Sequence, residues 1–462
     1  MRGKLGFAQF VLARISRREI LGCGRGRKLV AIAGQIPLLL REVSVLRVLV
    51  LSYWYEPDLS AGSFRVTALV KQLKAQLPAD AVIDVVTTMP NRYHSFKQSA
   101  AAEECIENVN IWRITLPLHQ NGMADQSRAF VRFAWQAQRI VKHRDYDVIY
   151  ATTSKLFTGV LGARIANRKR VPLYLDIRDI FIDTLGGVLS NKVNFMAAPA
   201  LKAFEGYAIR SASKVNLVSD GFTPYFAQRY GELPLDHYVN GIDEEFIGLT
   251  DAAENRQKLQ VDPGKRVILY AGNIGEGQGL ERIIPELAEQ LGSTYEFVVI
   301  GDGGRRKALE SRLEETGVPN VQLLPPVRRD ELVDYYMESD ILFVHLNSYD
   351  AFKKVLPSKI FEYGATGKPV LAGVDGFAAT FVREHVSNSA VFTPCSVDQA
   401  VAGVKSLNLG TVDRADFIHR FRRTGIMREM AASIIQLGAR TVQFPVGREE
   451  PASRKSPQNK AA

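Results

Sequence analysis

Short apolar runs alternate with amphipathic stretches along most of the chain. Residues 46–52 have the sequence LRVLVLS, a leucine and valine run ending in a polar turn, which is typical of a buried parallel strand. A helix is predicted from Ser63 to Leu77, because apolar residues recur on one side of it. Further strands are predicted at residues 81–87, 110–114, 147–150, 173–176 and 214–218. This alternation predicts a parallel sheet with right-handed crossovers.

The same alternation restarts in the second half. Strands are predicted at residues 266–272, 295–301, 321–324, 340–344 and 369–372, followed by one or two helices over residues 413–437. The polar stretch before the first of these strands ends in Asp262-Pro263-Gly264, which indicates a linker. The predicted fold class is α/β, with two Rossmann-like doubly wound domains facing a central cleft. Ligands bind at the carboxyl ends of the strands in such sheets, so the cleft suits a reaction that joins two substrates.

The net charge of the chain, +10 over 462 residues, is concentrated near its ends. Residues 1–46 carry +7 and residues 441–462 carry +2, which leaves the body close to neutral. A body without a basic face is unlike a protein that wraps nucleic acid, so no nucleic-acid partner is expected. With 46% hydrophobic and 23% charged residues, the body is expected to be globular.

Cysteine and histidine spacing excludes several classes. The three cysteines form no CxxC pair and the seven histidines form no HxxxH pair, which disfavours a disulfide framework, structural zinc and a zinc hydrolase. The longest apolar candidate, Leu29 to Leu40, is shorter than the ~18 residues that a membrane span requires. Basic residues are scattered through the first segment, unlike a secretory signal. We therefore expect a cytoplasmic body.

Glycine-rich turns follow strand ends in both halves. They lie at Gly62-Ser63, at residues 272–279 and at residues 301–304. None has the GxGxxG pattern of a nicotinamide dehydrogenase after a first strand, or the GxxxxGK[ST] pattern of a P-loop. Two interpretations stay open: the glycines only turn strands into helices, or the turns bind phosphate.

The most informative stretch is LPSKIFEYGATGKPV, residues 356–370. Ser358, Lys359 and Glu362 lie within one predicted helical turn, with Pro357 placed to begin the helix. Serine and lysine suit a diphosphate, and a carboxylate one turn later can accept hydrogen bonds from two ribose hydroxyls. The alternative is a solvated Lys–Glu pair three residues apart.

These motifs resemble the family-4 glycosyltransferases over about residues 46–440. PSKIFEYGATGKPVLAG is similar to the donor-site segment of that family. SYWYEPDLSAGSFR, Asn240-Gly241-Ile242-Asp243, YAGNIGEGQGLE and VVIGDGG also fit, in the order of the family. The resemblance implies the GT-B fold and retaining transfer of a hexosyl or N-acetylhexosaminyl group from a nucleotide-diphosphate sugar. It points to the branch that builds bacterial O-antigen, capsule or exopolysaccharide units on a lipid carrier, with a lipid-linked or oligosaccharide acceptor.

The alternation, the composition and the resemblance together predict a domain layout. It comprises a basic tail (1–45), an acceptor domain (46–242), a linker (243–264), a nucleotide-sugar donor domain (265–410), helices that cross back (411–440) and a disordered tail (441–462). Three interpretations of the first tail stay open: a membrane-surface segment, a disordered extension, or a region upstream of the native start codon.

Site residues follow from the same resemblance. Glu362 would hold the donor ribose, and Ser358, Lys359 and Gly62 would meet the diphosphate. The other expected donor-binding residues are Ser63, Gly272, Asn273, Gly275, Gly301, Asp302 and Gly303. Asp179, in a stretch that resembles the acceptor-side loop, would contact the acceptor or the transferred sugar, and would act in catalysis with Glu362 and Lys359. No cofactor and no metal are expected.

Two departures from the family pattern concern charge. Lys354 stands where members often have a second glutamate, and Asn273 and Gln278 stand where many have an arginine and a lysine. Lys359, helped by Lys354 or Arg65, would then neutralise more of the diphosphate.

A basic helix with aromatic residues is predicted over residues 128–144. Such a helix suits the surface of an anionic membrane, so a peripheral location at the inner face of the cell membrane is expected. The alternative is an ordinary core-facing helix with a solvated basic side. Two rival functions also stay open: a nucleotide-sugar epimerase of the same fold, and a catalytically inactive scaffold at the membrane surface.

Overall fold

The structure, a computed structural model, describes residues 45–58, 60–90, 100–117, 123–180, 191–249, 258–262 and 264–443. The expectations for the two tails therefore concern residues that lie outside those described, apart from Val45 and residues 441–443 at their inner ends.

The first sheet has the strand order β3-β4-β2-β1-β5-β6-β7-β8 and is parallel except for the antiparallel pair β3 and β4. Its strands are β1 (Arg47–Leu51), β2 (Val82–Thr88), β3 (Glu103–Ile106), β4 (Val109–Ile114), β5 (Val148–Thr152), β6 (Leu173–Ile177), β7 (Lys214–Leu217) and β8 (Leu235–Asp236).

The second sheet is wholly parallel, with the order β11-β10-β9-β12-β13-β14. Its strands are β9 (Arg266–Asn273), β10 (Tyr295–Asp302), β11 (Val321–Leu324), β12 (Ile341–His345), β13 (Val370–Gly373) and β14 (Ser389–Phe392). In each sheet the first strand of that half lies in the interior and the order reverses beside it. The predicted α/β class with two doubly wound sheets is confirmed.

Helices cover both sheets. In the first half they are α1 (Ala61–Gln76), α2 (Met123–Val141), α3 (Leu156–Lys169), α4 (Asn191–Ser211) and α5 (Thr223–Tyr230). In the second half they are α6 (Ile284–Leu291), α7 (Arg306–Thr316), α8 (Arg329–Glu338), α9 (Lys359–Ala365), α10 (Gly376–His385), α11 (Val397–Ser406), α12 (Ala415–Phe421) and α13 (Arg423–Gln443). No helix within the described ranges is long and apolar enough to cross a lipid bilayer.

Burial on both faces explains why the central strands were predictable. In β1 every residue from Val48 to Leu51 is inaccessible to solvent, because alternate side chains enter the two layers on either side of the sheet. The three strands that the pattern missed are β3, β8 and β14. They are short strands at sheet edges, where side chains are partly solvated and an apolar run is not required.

The last helix returns to the first half. Met427, Met430 and Ile434 of α13 are fully buried in the same apolar cluster as Val48 and Val50 of β1. Where the chain enters this helix it runs beside the segment that connects the two sheets. Ile242 donates its N–H to the carbonyl of Phe421 (2.8 Å), and Arg423 donates to the carbonyl of Ile242 (2.7 Å). The beginning of α13 is therefore held between the two halves.

Candidate functional site

A cavity of about 400 Å³ lies between the two halves, at the carboxyl ends of β9 and β10. The first half contributes Ser60, Ala61, Phe64 and Asp179, and the second contributes Tyr270, Gly272, Asn273, Gln278, Gly301, Asp302, Arg329, Ser358, Lys359, Glu362 and Arg423, among others. The size suits a ligand of nucleotide dimensions. The location is the one that the topology of open parallel sheets favours.

The structure brings most of the sequence-predicted residues together around this cavity. Gly272, Asn273, Gly301, Asp302, Ser358, Lys359, Glu362 and Asp179 all line it. Four others, namely Gly62, Ser63, Gly275 and Gly303, belong to the same turns but are not among the lining residues. At the first turn of α1 the cavity is lined instead by Ser60, the N-cap, whose hydroxyl accepts from the N–H of Ser63 (3.1 Å), and by Ala61 and Phe64.

Partly exposed Lys359 and buried Glu362 form an ion pair on one face of α9. Lys359 Nζ donates to Glu362 Oε2 (2.8 Å) and to the hydroxyl of Tyr336 (2.9 Å), which in turn donates to the same carboxylate oxygen (3.1 Å). Burial by itself would raise the pKa of Glu362, but the charges of Lys359 and Arg329 lower it to about 2. Glu362 is therefore an anion at neutral pH, and the expected alternative of a solvated pair does not apply.

Arg329 joins the second half to the first. It forms ion pairs with Asp243 and Glu245, its Nη1 lies 3.7 Å from Glu362 Oε1, and its guanidinium stacks 4.0 Å from the ring centre of Phe64 in α1. Burial would lower the pKa of Arg329, but these three carboxylates raise it. The cavity wall thus holds a cation whose partners come from both sides of the cleft.

The turn after β9 is held by neutral groups. Asn273 Nδ2 donates to Gln278 Oε1 (2.9 Å), which also accepts from the N–H of Gly275 (3.2 Å). His345 supports the same turn: its Nε2 accepts from the N–H of Cys395 (3.0 Å), so Nδ1 carries the proton and donates to the carbonyl of Gln278 (2.6 Å). Burial lowers the pKa of His345 to about 4, which keeps the ring neutral.

Gly301 is required by the close approach of two strand ends. Its φ is +152°, and a Cβ added there would lie 1.8 Å from the carbonyl oxygen of Gly272. Because only glycine fits, the turns after β9 and β10 can bring their backbones together at the cavity floor. Asp302 next to it accepts from the N–H of Gly303 (2.7 Å) within the turn and also lines the cavity.

Arg65 does not reach the cavity surface. It is fully buried with Asp176, donating from Nε (2.9 Å) and Nη2 (3.1 Å) to the two carboxylate oxygens. Asp176 also accepts from Tyr150 (2.7 Å) and Asn216 (2.7 Å), so this network fixes α1 against the sheet. The expectation that Arg65 helps to neutralise a diphosphate is therefore not supported. Lys354, the other residue expected to help, lies over the ring of Tyr225 in the first half and does not line the cavity.

Asp179, the predicted acceptor-side residue, is exposed and lines the cavity. The stretch that follows it, residues 181–183, lies outside the described residues. Within the ranges that the structure describes, no group of three or more His, Cys, Asp or Glu side chains is arranged to hold a metal ion.

Sequence reasoning missed several residues of the cavity wall and of the ion-pair network around it. These are Ser60, Phe64, Asp243 as a charge partner, Arg329, Tyr336 and Arg423. The sequence signalled three of them, since Ser60 and Phe64 lie within the SYWYEPDLSAGSFR stretch and Asp243 closes the Asn240-Gly241-Ile242-Asp243 motif. Arg329 and Arg423 begin helices far from any motif, and only folding brings them to the cavity.

Two sequence families match the chain, one in each half. Residues 59–238 match the glycosyl transferase 4-like domain, and residues 251–424 match the glycosyl transferases of group 1. A protein of Escherichia coli (strain K12) that is assigned to colanic acid biosynthesis as the glycosyl transferase WcaI is 31% identical over 164 residues. That match covers 35% of this chain and 40% of the relative, so it spans less than half of the relative's length.

Solved structures resemble nearly the whole described chain. Sucrose-phosphate synthase from Thermosynechococcus elongatus has a TM-score of 0.63 at 13% identity, covering 86% of this chain and 98% of that one. Anabaena Alr3699/HepE in complex with UDP-glucose has a TM-score of 0.56 at 18% identity, with the same coverage of both chains. The paired sheets, the cleft and the two matched domains define a two-domain glycosyltransferase architecture. The chain has the GT-B fold, and each of its halves matches a glycosyl transferase domain family.

Proposed function

We propose that this protein is a retaining glycosyltransferase of family 4. It moves a hexosyl or N-acetylhexosaminyl group from a nucleotide-diphosphate sugar to a lipid-linked or oligosaccharide acceptor in bacterial surface polysaccharide synthesis. The observation that carries the proposal is the ionised Glu362, held by Lys359 and Tyr336 on the wall of a cavity between two doubly wound sheets. The WcaI relative supports the polysaccharide context, and the UDP-glucose complex of HepE supports a nucleotide-sugar donor.

The roles follow from the chemistry of the side chains. Glu362 Oε1, which accepts no hydrogen bond from Lys359 or Tyr336, would accept from the ribose hydroxyls. Lys359 and the backbone N–H groups of the glycine turns would stabilise the diphosphate as its charge grows. The bond from the anomeric carbon to the phosphate oxygen breaks while a bond to the acceptor oxygen forms on the same face. The leaving diphosphate takes the acceptor proton.

A thermal-shift screen of nucleotide-sugars identifies the donor, because a ligand that binds the folded state raises its apparent melting temperature. At ligand concentrations of about a hundred times Kd, the stabilisation is about 2.7 kcal/mol, which is several degrees for a domain of this size. The donor found in this way is then incubated with a lipid-linked acceptor, and NMR of the product is expected to give the anomeric configuration of the donor.

The rival functions give different products. An epimerised sugar formed from donor alone would identify an epimerase, and inverted product would contradict retention. Nucleotide binding without transfer to any acceptor tested would favour an inactive scaffold, since Asn273 and Gln278 leave the turn after β9 without a cation.

We also propose that α2 rests on an anionic membrane surface. Its core side carries Ala129, Phe133 and Ala137, all buried, which fits the core-facing alternative. Its opposite side is not simply solvated and basic. It exposes Val131 (66%) and Trp135 (51%), alongside the exposed cations Arg128, Arg132, Arg139 and Lys142.

The apolar part of this surface continues onto neighbouring helices. Phe157 in α3 and Phe204 in α4 are partly exposed and pack together with ring centres 5.3 Å apart. Phe157 also contacts Phe130 of α2, at 5.5 Å. Exposed aromatic rings beside several cations complement both the interface and the charge of an anionic leaflet.

In vesicle flotation we expect the protein to float with phosphatidylglycerol vesicles and to remain at the bottom with phosphatidylcholine alone. The variant Arg132→Glu/Arg139→Glu is expected to lose about 2 kcal/mol or more of binding free energy, because each basic residue near the surface contributes about 1 kcal/mol. Arg312→Glu, at a partly exposed arginine of α7 in the other half, is the control. Salt-insensitive flotation, or equal losses in both variants, would contradict the membrane surface.

A further inference from the structure

The cavity holds fewer available cations than its lining suggests. Its basic lining residues are Arg329, Lys359 and Arg423. Lys359 already donates to Glu362 and Tyr336, and Arg329 is paired with Asp243 and Glu245. The turn after β9 is closed by an amide pair and contributes no cation. Lys359 keeps one N–H group for a ligand, so a ligand with two phosphates would need a second cation with an unpaired N–H group.

Arg423 is that second cation. Its side chain is only 3% exposed, yet Nη1 and Nε have no hydrogen-bond partner among the described residues. Nη2 donates to the carbonyl of Gly241 (3.2 Å), and Nε lies 2.5 Å from Asp243 Oδ1 as an ion pair. Asp243 is shared with Arg329, so one carboxylate serves two guanidinium groups.

An unsatisfied N–H group on a buried guanidinium is costly unless a ligand completes it. Burial lowers the pKa of Arg423 to about 10, so the group remains charged at neutral pH. Its surroundings are polar and charged, and the side chain lines the cavity that also holds Lys359 and Glu362. A phosphate oxygen is the acceptor that best matches a charged fork with a free N–H.

We propose that Arg423 binds the diphosphate of the donor directly, with Nη1 donating to a phosphate oxygen. This inference rests on the proposed function. Arg423, the first residue of α13, would supply the positive charge for the diphosphate that the turn after β9 does not provide. Met427 and Met430 of the same helix are buried against the first sheet, so the position of Arg423 in the cavity would also depend on the packing of α13 on that sheet.

The test separates phosphate contact from a structural role. Wild type, Arg423→Gln and Arg423→Lys are titrated with UDP and GDP by calorimetry, and with uridine and guanosine by saturation-transfer NMR. We expect Arg423→Gln to bind the preferred nucleotide about ten- to a hundred-fold more weakly, the usual effect of losing a hydrogen bond to a charged group. Nucleoside binding should change less than about two-fold, since no phosphate is involved.

The neighbouring variant Arg422→Gln is the control. Arg422 is exposed, pairs with Glu244 and does not line the cavity, so the nucleotide affinity of this variant should equal that of the wild type. Arg423→Lys keeps the charge but loses the fork, and an intermediate affinity is expected. If Arg423→Gln does not fold, this variant decides the question.

Two results would overturn the inference. One is an unchanged nucleotide affinity in Arg423→Gln, and the other is a parallel loss for nucleotide and nucleoside, which would indicate a purely structural role. In either case the wild type still binds nucleotide and the proposed function stands. Absence of nucleotide binding by the wild type would instead overturn the proposed function together with this inference.

Discussion

Lys359→Ala is expected to lower turnover by about a hundred-fold or more while the protein still folds, which is the usual cost of removing one group that stabilises developing charge. Lys359 is the lining cation on α9, and its amine is placed by both Glu362 and Tyr336. Removing it takes away a positive charge at the site proposed for the leaving diphosphate. It also removes one of the cations that balance the negative charge of Glu362. Initial rates with the identified donor and acceptor measure the turnover, and circular dichroism of the variant shows whether it folds.

The neighbouring Lys353→Ala provides the control for this prediction. Lys353 lies in the turn before α9, is exposed and pairs with exposed Asp350, so its loss should leave the rate unchanged. Near wild-type turnover in Lys359→Ala would refute the role of Lys359. A fall in donor affinity with unchanged kcat would mean that Lys359 binds donor and transition state equally.

The same variant should change the stability at acid pH. The pKa of Glu362 is held at about 2, below its ordinary value of 4.5, so its ionised form stabilises the fold. That contribution is complete above about pH 4.5 and is lost as the pH falls towards 2. Without Lys359 the pKa of Glu362 rises towards 4.5. The variant is then less stable than the wild type above about pH 4.5, and its melting temperature falls less steeply as the pH is lowered from 4.5 towards 2.

Asp176→Asn is expected to destabilise the protein by about 3–5 kcal/mol, because it leaves Arg65 as an uncompensated charge in a fully buried site. The loss should be visible as a lower midpoint in urea unfolding. The pKa of Asp176 is lowered because Arg65, Arg178 and Tyr150 outweigh the effect of burial, so its contribution is present above its ordinary value of 3.8 and is lost at more acid pH.

An exposed pair is the control for this second prediction. The side chains of Arg328 and Asp330 are each more than half exposed, so Asp330→Asn should not move the urea midpoint measurably. A wild-type midpoint in Asp176→Asn would mean that the Arg65–Asp176 network does not hold α1 in place.

Local patterns predicted the elements that are buried on both faces. The strand from Val48 to Leu51 is such a case, since a parallel strand between two helical layers must be apolar at every position. The edge strand β3 contains Glu103 and Glu104 and is mostly exposed, so no apolar pattern marks it. The helical turn with Ser358, Lys359 and Glu362 was also predictable, because side chains three residues apart on a helix share a face.

By itself, the sequence determined the two doubly wound halves, the glycine turns and the Lys359–Glu362 pair, because all of these depend on residues close together in the chain. Only the tertiary structure decided which cations reach the cavity. Arg65, adjacent to the first turn, is buried with Asp176, whereas Arg329 and Arg423 arrive from distant helices. The reason is physical: the partners that direct a charged side chain lie on other elements, and their positions follow from packing rather than from local spacing.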